Sequence, residues 1–318
     1  MKRWKWAVIV AMACTSILCA LPLAAQDYPT KPVEMVVPFG PGGGTDLTAR
    51  AIADVCTKYL GQPLVVINKP GASGIIGSQY ALNSKPDGYT MLMVGGSHTV
   101  SVPHFRSMTF NPITDFDPVI RFTVQRIGFY VKSDSKWKTM KDFLQDVKEN
   151  PEKYTYGSSG VGTIHHAAVL VTEQRTGTRM THVPSKSGGA ESLAALAGGH
   201  LDMAIASPNE ADALVQGGRI RCLALTAPER SPAAPGVPTM RELGHDVYLD
   251  IQMGLAFPKG VAQPIRQKVH DAGKKVYEDP QFKDRAEKLK LELSYLNGDD
   301  FRKALKTMYD QVGESVKK

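Results

Sequence analysis

The segment VVPFGPGGGTD at positions 36–46 sets four glycines and two prolines between a short apolar run and the helix-like stretch LTARAIADVCTKYL. Bare backbone at the start of a helix offers unpaired N–H groups and a partial positive charge to an anion. The common phosphate cradles do not fit. A P-loop needs Lys and then Ser or Thr after its last glycine, whereas Thr45 and Asp46 follow Gly44. The dinucleotide pattern G-x-G-x-x-G would need glycine at 45 or 47, and Asp46 would repel a polyanion. With Thr45 or Asp46 capping the helix, a singly charged carboxylate suits the loop better than a phosphate.

Two further loops repeat the arrangement: GSSGVGT follows YTY, and SKSGGAE follows THVP. Each closes a strand-like run and opens a helix. Ligands of open α/β sheets bind beyond the carboxyl ends of the strands, so an anion-binding crevice is the expected site. Lys186 is the only cation in these loops, which makes main-chain and hydroxyl donors the expected contacts.

Catalytic and metal patterns are weak beside this. His165 and His166 are adjacent, and neither H-E-x-x-H nor a Cys/His metal spacing occurs. Ser133 to Lys136 matches S-x-x-K without a following K-T-G, and no G-x-S-x-G elbow is present. GSSGVGTIHH places serines near imidazoles, so a secreted α/β hydrolase using Ser159 and His166 is the competing reading. The plainer one has Ser158, Ser159 and Thr163 donating hydrogen bonds to a ligand. We expect a binding protein, not an enzyme, with no cofactor and no metal.

The elements that must position these loops alternate strand and helix: VEMVVPF, PLVVIN, YTMLMVG, RIGFYVKS, YTYGS, MTHVP and LDMAIAS read as strands, with helices between them. In the first helix Leu47, Ala51, Val55 and Tyr59 recur every fourth residue as one apolar stripe. The C-terminal part, from PIRQKVHDAGKKVYED onward, reads as mostly charged helix. This alternation predicts α/β architecture with parallel sheets. MKRWKW, an apolar run and LAAQ form a secretory leader over 1–25, with cleavage expected after Ala25.

Removing the leader's Lys2, Arg3 and Lys5 takes the formal charge from +7 to +4. The remaining charges alternate in sign without a basic stripe, which argues against nucleic-acid binding. Only Cys56 and Cys222 lie beyond the leader. Their spacing leaves pairing open, and we favour two buried free thiols. About 290 residues after the leader are enough for two domains.

The blocks YPTKPVEMVVPFGPGGGTDLTARAIA, GQPLVVINKPGASGIIGSQYALNSKPDGYTMLM, YTYGSSGVGTIHHAA and THVPSKSGGAESLAALAGGHLDMAIAS, with GRIRCLALTAPERSPAAPGVPTMRELG, are similar to the tripartite tricarboxylate transporter receptors, the TctC or Bug family. The likeness runs through essentially the whole chain after the leader. It implies a type II periplasmic-binding-protein fold, two α/β domains with a ligand cleft between them. Domain 1 would comprise 27–126 and 227–318, and domain 2 would comprise 127–226. It implies a monomeric periplasmic receptor that captures a small carboxylate and delivers it to a membrane permease of a large and a small subunit. A receptor of the same fold feeding a sensor kinase is the variant reading.

The resemblance implies ligand contacts from Phe39, Gly42, Gly43, Gly44, Thr45 and Asp46, with Ser73 from GASG and Ser97, His98 and Thr99 from GGSHT. From the second domain it adds Ser158, Ser159, Thr163, His166, Ser185, Lys186 and Ser207. Thr163 is expected to meet the second carboxylate of a dicarboxylate, or else merely to cap its helix. The sequence departs from the family pattern in places. Ala206 stands where Asp is frequent, Ser207 where Asn is frequent, and Ser185 where Tyr is frequent. A frequent Trp is missing at or near Gln252. Losing the acid argues against an amino-acid ligand, and losing both aromatics suggests a pocket roomy enough for an aromatic carboxylate or a longer dicarboxylate.

Overall fold

The computed structural model describes residues 28–316 apart from Ser187, Pro228 and Ala233; the expected leader and its cleavage point lie outside the described residues. Strands β1 (Val33–Val37), β2 (Leu64–Asn68) and β3 (Thr90–Val94) alternate with helices α1 (Gly44–Leu60) and α2 (Ile75–Leu82). The long strand β4 (Phe116–Gln125) then leads out of this sheet. The chain returns as β10 (Ile251–Pro258), helices α7 (Gln263–Glu278) and α8 (Pro280–Lys288), β11 (Glu292–Asn297) and α9 (Gly298–Val316). Together these strands form a six-stranded sheet in the order β11-β4-β10-β3-β1-β2.

Between the two passages lies a five-stranded sheet in the order β7-β6-β8-β5-β9. Its strands are β5 (Gly128–Lys132), β6 (Thr155–Ser158), β7 (Thr181–Pro184), β8 (Met203–Ala206) and β9 (Ile220–Leu225). Helices α3 (Met140–Glu149), α4 (Ile164–Thr176), α5 (Gly189–Ala197) and α6 (Pro208–Gln216) connect them.

The sheets are mixed, which corrects the expectation of parallel ones. Strands β1, β2 and β3 are parallel neighbours, as are β7, β6 and β8, but β10 runs antiparallel to β3 and β4, and β5 runs antiparallel to β8 and β9. The reason is topological. Strands that end at the boundary between the sheets share one direction, and a strand that starts there after a crossing runs the other way. The C-terminal part, read as mostly charged helix, also contains β11, an edge strand of largely half-buried residues.

The crossing segments are tied together. Thr226 donates its N–H to the Ile127 carbonyl at 2.8 Å and its hydroxyl to the Leu249 carbonyl at 2.7 Å. Arg126 pairs with Glu292 at 2.9 Å and lies 3.7 Å from buried Asp250.

Helix α1 shows how pattern becomes packing. Ala51, Ile52, Val55 and Cys56 are buried, while Leu47 and Tyr59 sit at the margin, so the buried face is turned slightly from the predicted stripe. Gly61 ends the helix in the left-handed region at φ 85°, and its N–H closes on the Thr57 carbonyl. Both cysteines are free, as favoured, but only Cys56 is buried; Cys222 is half-buried.

Candidate functional site

The carboxyl ends of β1, β3, β4, β6 and β8 converge on a cavity of about 340 Å³ between the two sheets. Phe39 to Thr45, Gly95 to Ser97, Gln125, Ile251 and Met253 line it from the first sheet, and Ser159, His165, Gly188 to Ala190, Ser207 and Glu210 from the second. Helices α1, α5 and α6 begin at its wall. The first N–H groups of each have no acceptor within their own helix and carry the positive end of its dipole.

The glycine loop is braced from behind. Asp46 accepts the Gly42 N–H at 2.9 Å, two bonds from Arg50 at 2.9 and 3.0 Å, and the Asn68 amide at 2.9 Å. Asn68 also donates to the Phe39 carbonyl at 3.0 Å. Burial alone would raise the Asp46 pKa, but the bonds from Arg50, Gly42 and Asn68 outweigh it and lower it. Asp46 is therefore the scaffold of the loop and faces away from the cavity. Gly42 needs its glycine, at φ 82°. At Gly44 a Cβ would lie 2.6 Å from Gln125 Oε1, so any larger residue would have to push the end of that buried amide aside. Gly43 differs, because a Cβ there would meet nothing closer than 3.9 Å.

The second wall uses most of its hydroxyls internally. Thr163 caps α4: its Oγ1 donates to the Gly160 carbonyl at 2.8 Å and accepts the His166 N–H at 3.4 Å, and the residue is fully buried. Ser158 Oγ lies 2.7 Å from His182 Nε2. Ser185 Oγ donates to the Gly188 carbonyl at 2.6 Å and holds that turn. His166 accepts the Gly162 N–H at 3.0 Å and stacks on His182 with ring centroids 4.2 Å apart. Lys186 is exposed and its backbone N–H donates to Glu191.

Of the residues expected at the site, the cavity thus brings together Phe39, Gly42, Gly43, Gly44, Thr45, Ser97, Ser159 and Ser207. Asp46, Ser73, His98, Thr99, Ser158, Thr163, His166, Ser185 and Lys186 stand behind it or beside it. Ser97 Oγ accepts the Ile164 N–H at 3.2 Å, so a first-sheet side chain meets the start of α4. Ser73 Oγ donates to the Val161 carbonyl at 3.3 Å across the same gap. His98 is fully buried behind Phe39, and burial pushes its pKa down to about 3.

The expected consequences of the sequence departures also change. Gln252 is buried and turned away, accepting from Arg121 at 2.7 Å, while its neighbours Ile251 and Met253 face the cavity, as strand alternation requires. Ala206 is buried in β8 and does not line the cavity. An acid is present after all, because Glu210, one helical turn on, points into it. The argument against an amino-acid ligand from a missing acid therefore loses its premise.

Sequence reasoning missed Glu210, Gln125 and His165. Glu210 had a signal: S-x-x-E at 207–210 is a helix-start pattern, which marks α6 as a further loop-to-helix junction. Gln125 had none, since it reaches the cavity only through the end of β4.

The charge balance of the cavity is distinctive: among the described lining residues there is no Lys or Arg. Two buried polar atoms of lining residues, Ser207 Oγ and His165 Nε2, have no protein partner among the described residues. Buried polar groups are normally paired, so they are candidates for ligand contact. Ser159 Oγ lies 2.6 Å from His165 Nδ1, not against His166 as the hydrolase reading required. Burial lowers the His165 pKa to about 4, which makes it a weak base at neutral pH, and no carboxylate bonds its far nitrogen. The pair suits binding better than nucleophilic attack.

Residues 48–318 match the family described as tripartite tricarboxylate transporter family receptor. A Cupriavidus necator protein, "UPF0065 protein in gbd 5'region", is 35% identical over 295 residues, covering 92% of this chain and 89% of that one. Among solved structures, one described as a periplasmic transporter superposes with a TM-score of 0.85 at 33% identity, covering 92% of this chain and 98% of its own. MatC from Rhodopseudomonas palustris with bound malate gives 0.82 at 26% identity, over 91% of this chain and 100% of that one. Rpa4515 from the same organism with adipate gives 0.84 at 26%, over 91% and 98%.

Proposed function

Because this chain belongs to the tripartite tricarboxylate transporter receptor family, we propose that it captures a small dicarboxylate or aromatic carboxylate between two domains and delivers it to a large-and-small-subunit permease. The domains would be 27–126 with 227–318, and 127–226, the chain being exported to the periplasm by its leader and acting as a monomer. Among the described residues no helix is long and apolar enough to cross a membrane. The observation that carries the reading is a cavity bounded by helix starts from both sheets, without a lining cation. Such a wall binds an anion through N–H and hydroxyl donors, each charge-assisted bond contributing roughly 1.5–3 kcal/mol. The malate and adipate bound by the two Rhodopseudomonas relatives support a carboxylate as the class.

Thermal-shift measurements against succinate, malate, adipate, benzoate and 4-hydroxybenzoate test this. A ligand selective for the native state raises the melting temperature in proportion to the logarithm of its concentration. At least one of these carboxylates should do so, while its amide should not. A flat response to the whole panel would remove the carboxylate assignment.

A further inference from the structure

The cavity already holds a carboxyl group of the protein itself. Glu210, in the first turn of α6, accepts the Ser207 N–H at 3.1 Å through Oε2, and the Gly44 N–H of the opposite wall lies close enough to favour the charged form of the same carboxyl group. A Cβ on Gly189 would stand 2.8 Å from Oε2, so the group also abuts the start of α5. A helix-capping role explains the Ser207 bond. It does not explain the approach to Gly44, a member of the glycine loop on the other sheet.

Among the described residues no cation faces this carboxyl, and at the start of α5 the first-turn Glu191 is occupied by the Lys186 N–H. On α1, Asp46 is matched by Arg50. On α4, His165 is kept neutral by burial. On α6 itself, Asp212 pairs with Lys290, and beneath lies buried Tyr130 of β5.

We infer that capture of a carboxylate takes up one proton at Glu210, the solute's carboxylate sharing the glycine-loop donors with a neutral Glu210 carboxyl. The inference rests on the receptor reading above. Two carboxylates in one secluded site without a cation cannot both stay ionised. The proton comes from the buffer, rests on a Glu210 oxygen and is donated as a hydrogen bond to the solute. No covalent bond forms or breaks in either partner beyond that O–H. Burial already raises the Glu210 pKa in the free protein, against the lowering effect of the Ser207 and Gly44 N–H groups. An arriving anion acts in the same direction as burial.

The test is calorimetric titration of the full chain with adipate, malate, succinate and L-aspartate above about pH 6.5, where these carboxylates are ionised. Running it in phosphate and in Tris, whose ionisation enthalpies differ, counts the protons. The wild-type protein should take up close to one proton per carboxylate bound, with affinity falling by up to about tenfold per pH unit. Glu210→Gln, which keeps an acceptor for Ser207, should bind with no proton uptake and a flat pH profile. Absence of uptake in the wild type, or uptake persisting in Glu210→Gln, would overturn the inference without touching the receptor reading. So would a preference for L-aspartate over succinate that the substitution abolishes, since Glu210 would then be an ionised partner for ammonium. Failure of the wild type to bind any of these four, or benzoate or 4-hydroxybenzoate titrated in the same way, would remove both.

Discussion

The two walls of the cavity reach the same chemistry by opposite means. The first wall presents main chain: Gly42, Gly43 and Gly44 face the cavity, and the polar side chains Asp46, Arg50 and Asn68 lie behind them as bracing. The second wall adds side chains to the main chain of Gly188 to Ala190, and most of its hydroxyls are already engaged. Ser158, Thr163 and Ser185 hold their own loops, leaving Ser159, His165 and Ser207 at the surface of the cavity. A glycine loop cannot rearrange its donors without refolding, so it suits the invariant carboxylate end of a solute. The side-chain wall can be varied residue by residue, so it suits discrimination among the rest of the molecule. Proximity in sequence to a ligand loop is therefore a poor guide to contact on the second wall and a good one on the first.

That contrast makes the substitutions separable. The largest effect is expected at Gly43, where φ is −79° and a Cβ would make only an ordinary contact, 3.9 Å from the Gly40 carbonyl. Gly43→Val should fold with an unchanged melting temperature and lose binding by at least about a hundredfold, a deficit near 3 kcal/mol. Normal binding by this variant would reduce the first wall to a turn. Next comes Asp46→Ala, which unpairs the Gly42 N–H and leaves the Asn68 amide with the Phe39 carbonyl alone. The cost in stability is about 1–3 kcal/mol, with half-exposed Arg50 adding little, and affinity should drop with it. Denaturant melts and titrations on the same sample check both halves, and affinity held constant despite the stability loss would mean the bracing is irrelevant to the donors.

Ser207→Ala sharpens the comparison from the other side. Its hydroxyl stands at the N-cap of α6 with no close protein partner among the described residues, so removing it should cost at most about 1 kcal/mol of stability while lowering affinity by about fivefold, near 1 kcal/mol. A loss of stability with no loss of affinity would show the hydroxyl to be structural. The smallest effect on binding is expected at Thr163. As the cap of α4, Thr163→Val should cost about 1 kcal/mol of stability and weaken dicarboxylates and their monocarboxylate analogues alike. A loss confined to dicarboxylates, measured on matched pairs such as adipate and hexanoate, would return Thr163 to ligand recognition.

The first wall was largely legible in the sequence because its function is written in backbone. A run such as GPGGG has few uses besides a tight turn that exposes N–H groups, and failed P-loop and dinucleotide patterns narrow the anion. The strand–helix alternation likewise exposed most of the elements, since apolar periodicity is a local property. The antiparallel returns of β5 and β10 were not legible, because direction depends on where the chain crosses between sheets. On the second wall a serine that donates to its own loop and one that donates to a ligand have the same sequence surroundings. Thr163 and Ser207 each precede a helix, yet only Ser207 faces the cavity. Glu210 was hidden differently: its neighbour across the cavity, Gly44, is more than a hundred residues away and on the other sheet.

The central claim is that a carboxylate sits on the main chain of the glycine loop with the second wall closed over it. A crystal structure of the chain with whichever carboxylate raises its melting temperature most would test this directly. The account predicts one carboxylate group within about 3 Å of N–H groups in the 42–45 segment, directly or through one ordered water, with the solute also touching Ser159 or Ser207. A carboxylate bound elsewhere, or held by a lysine or arginine with the glycine loop empty, would contradict it.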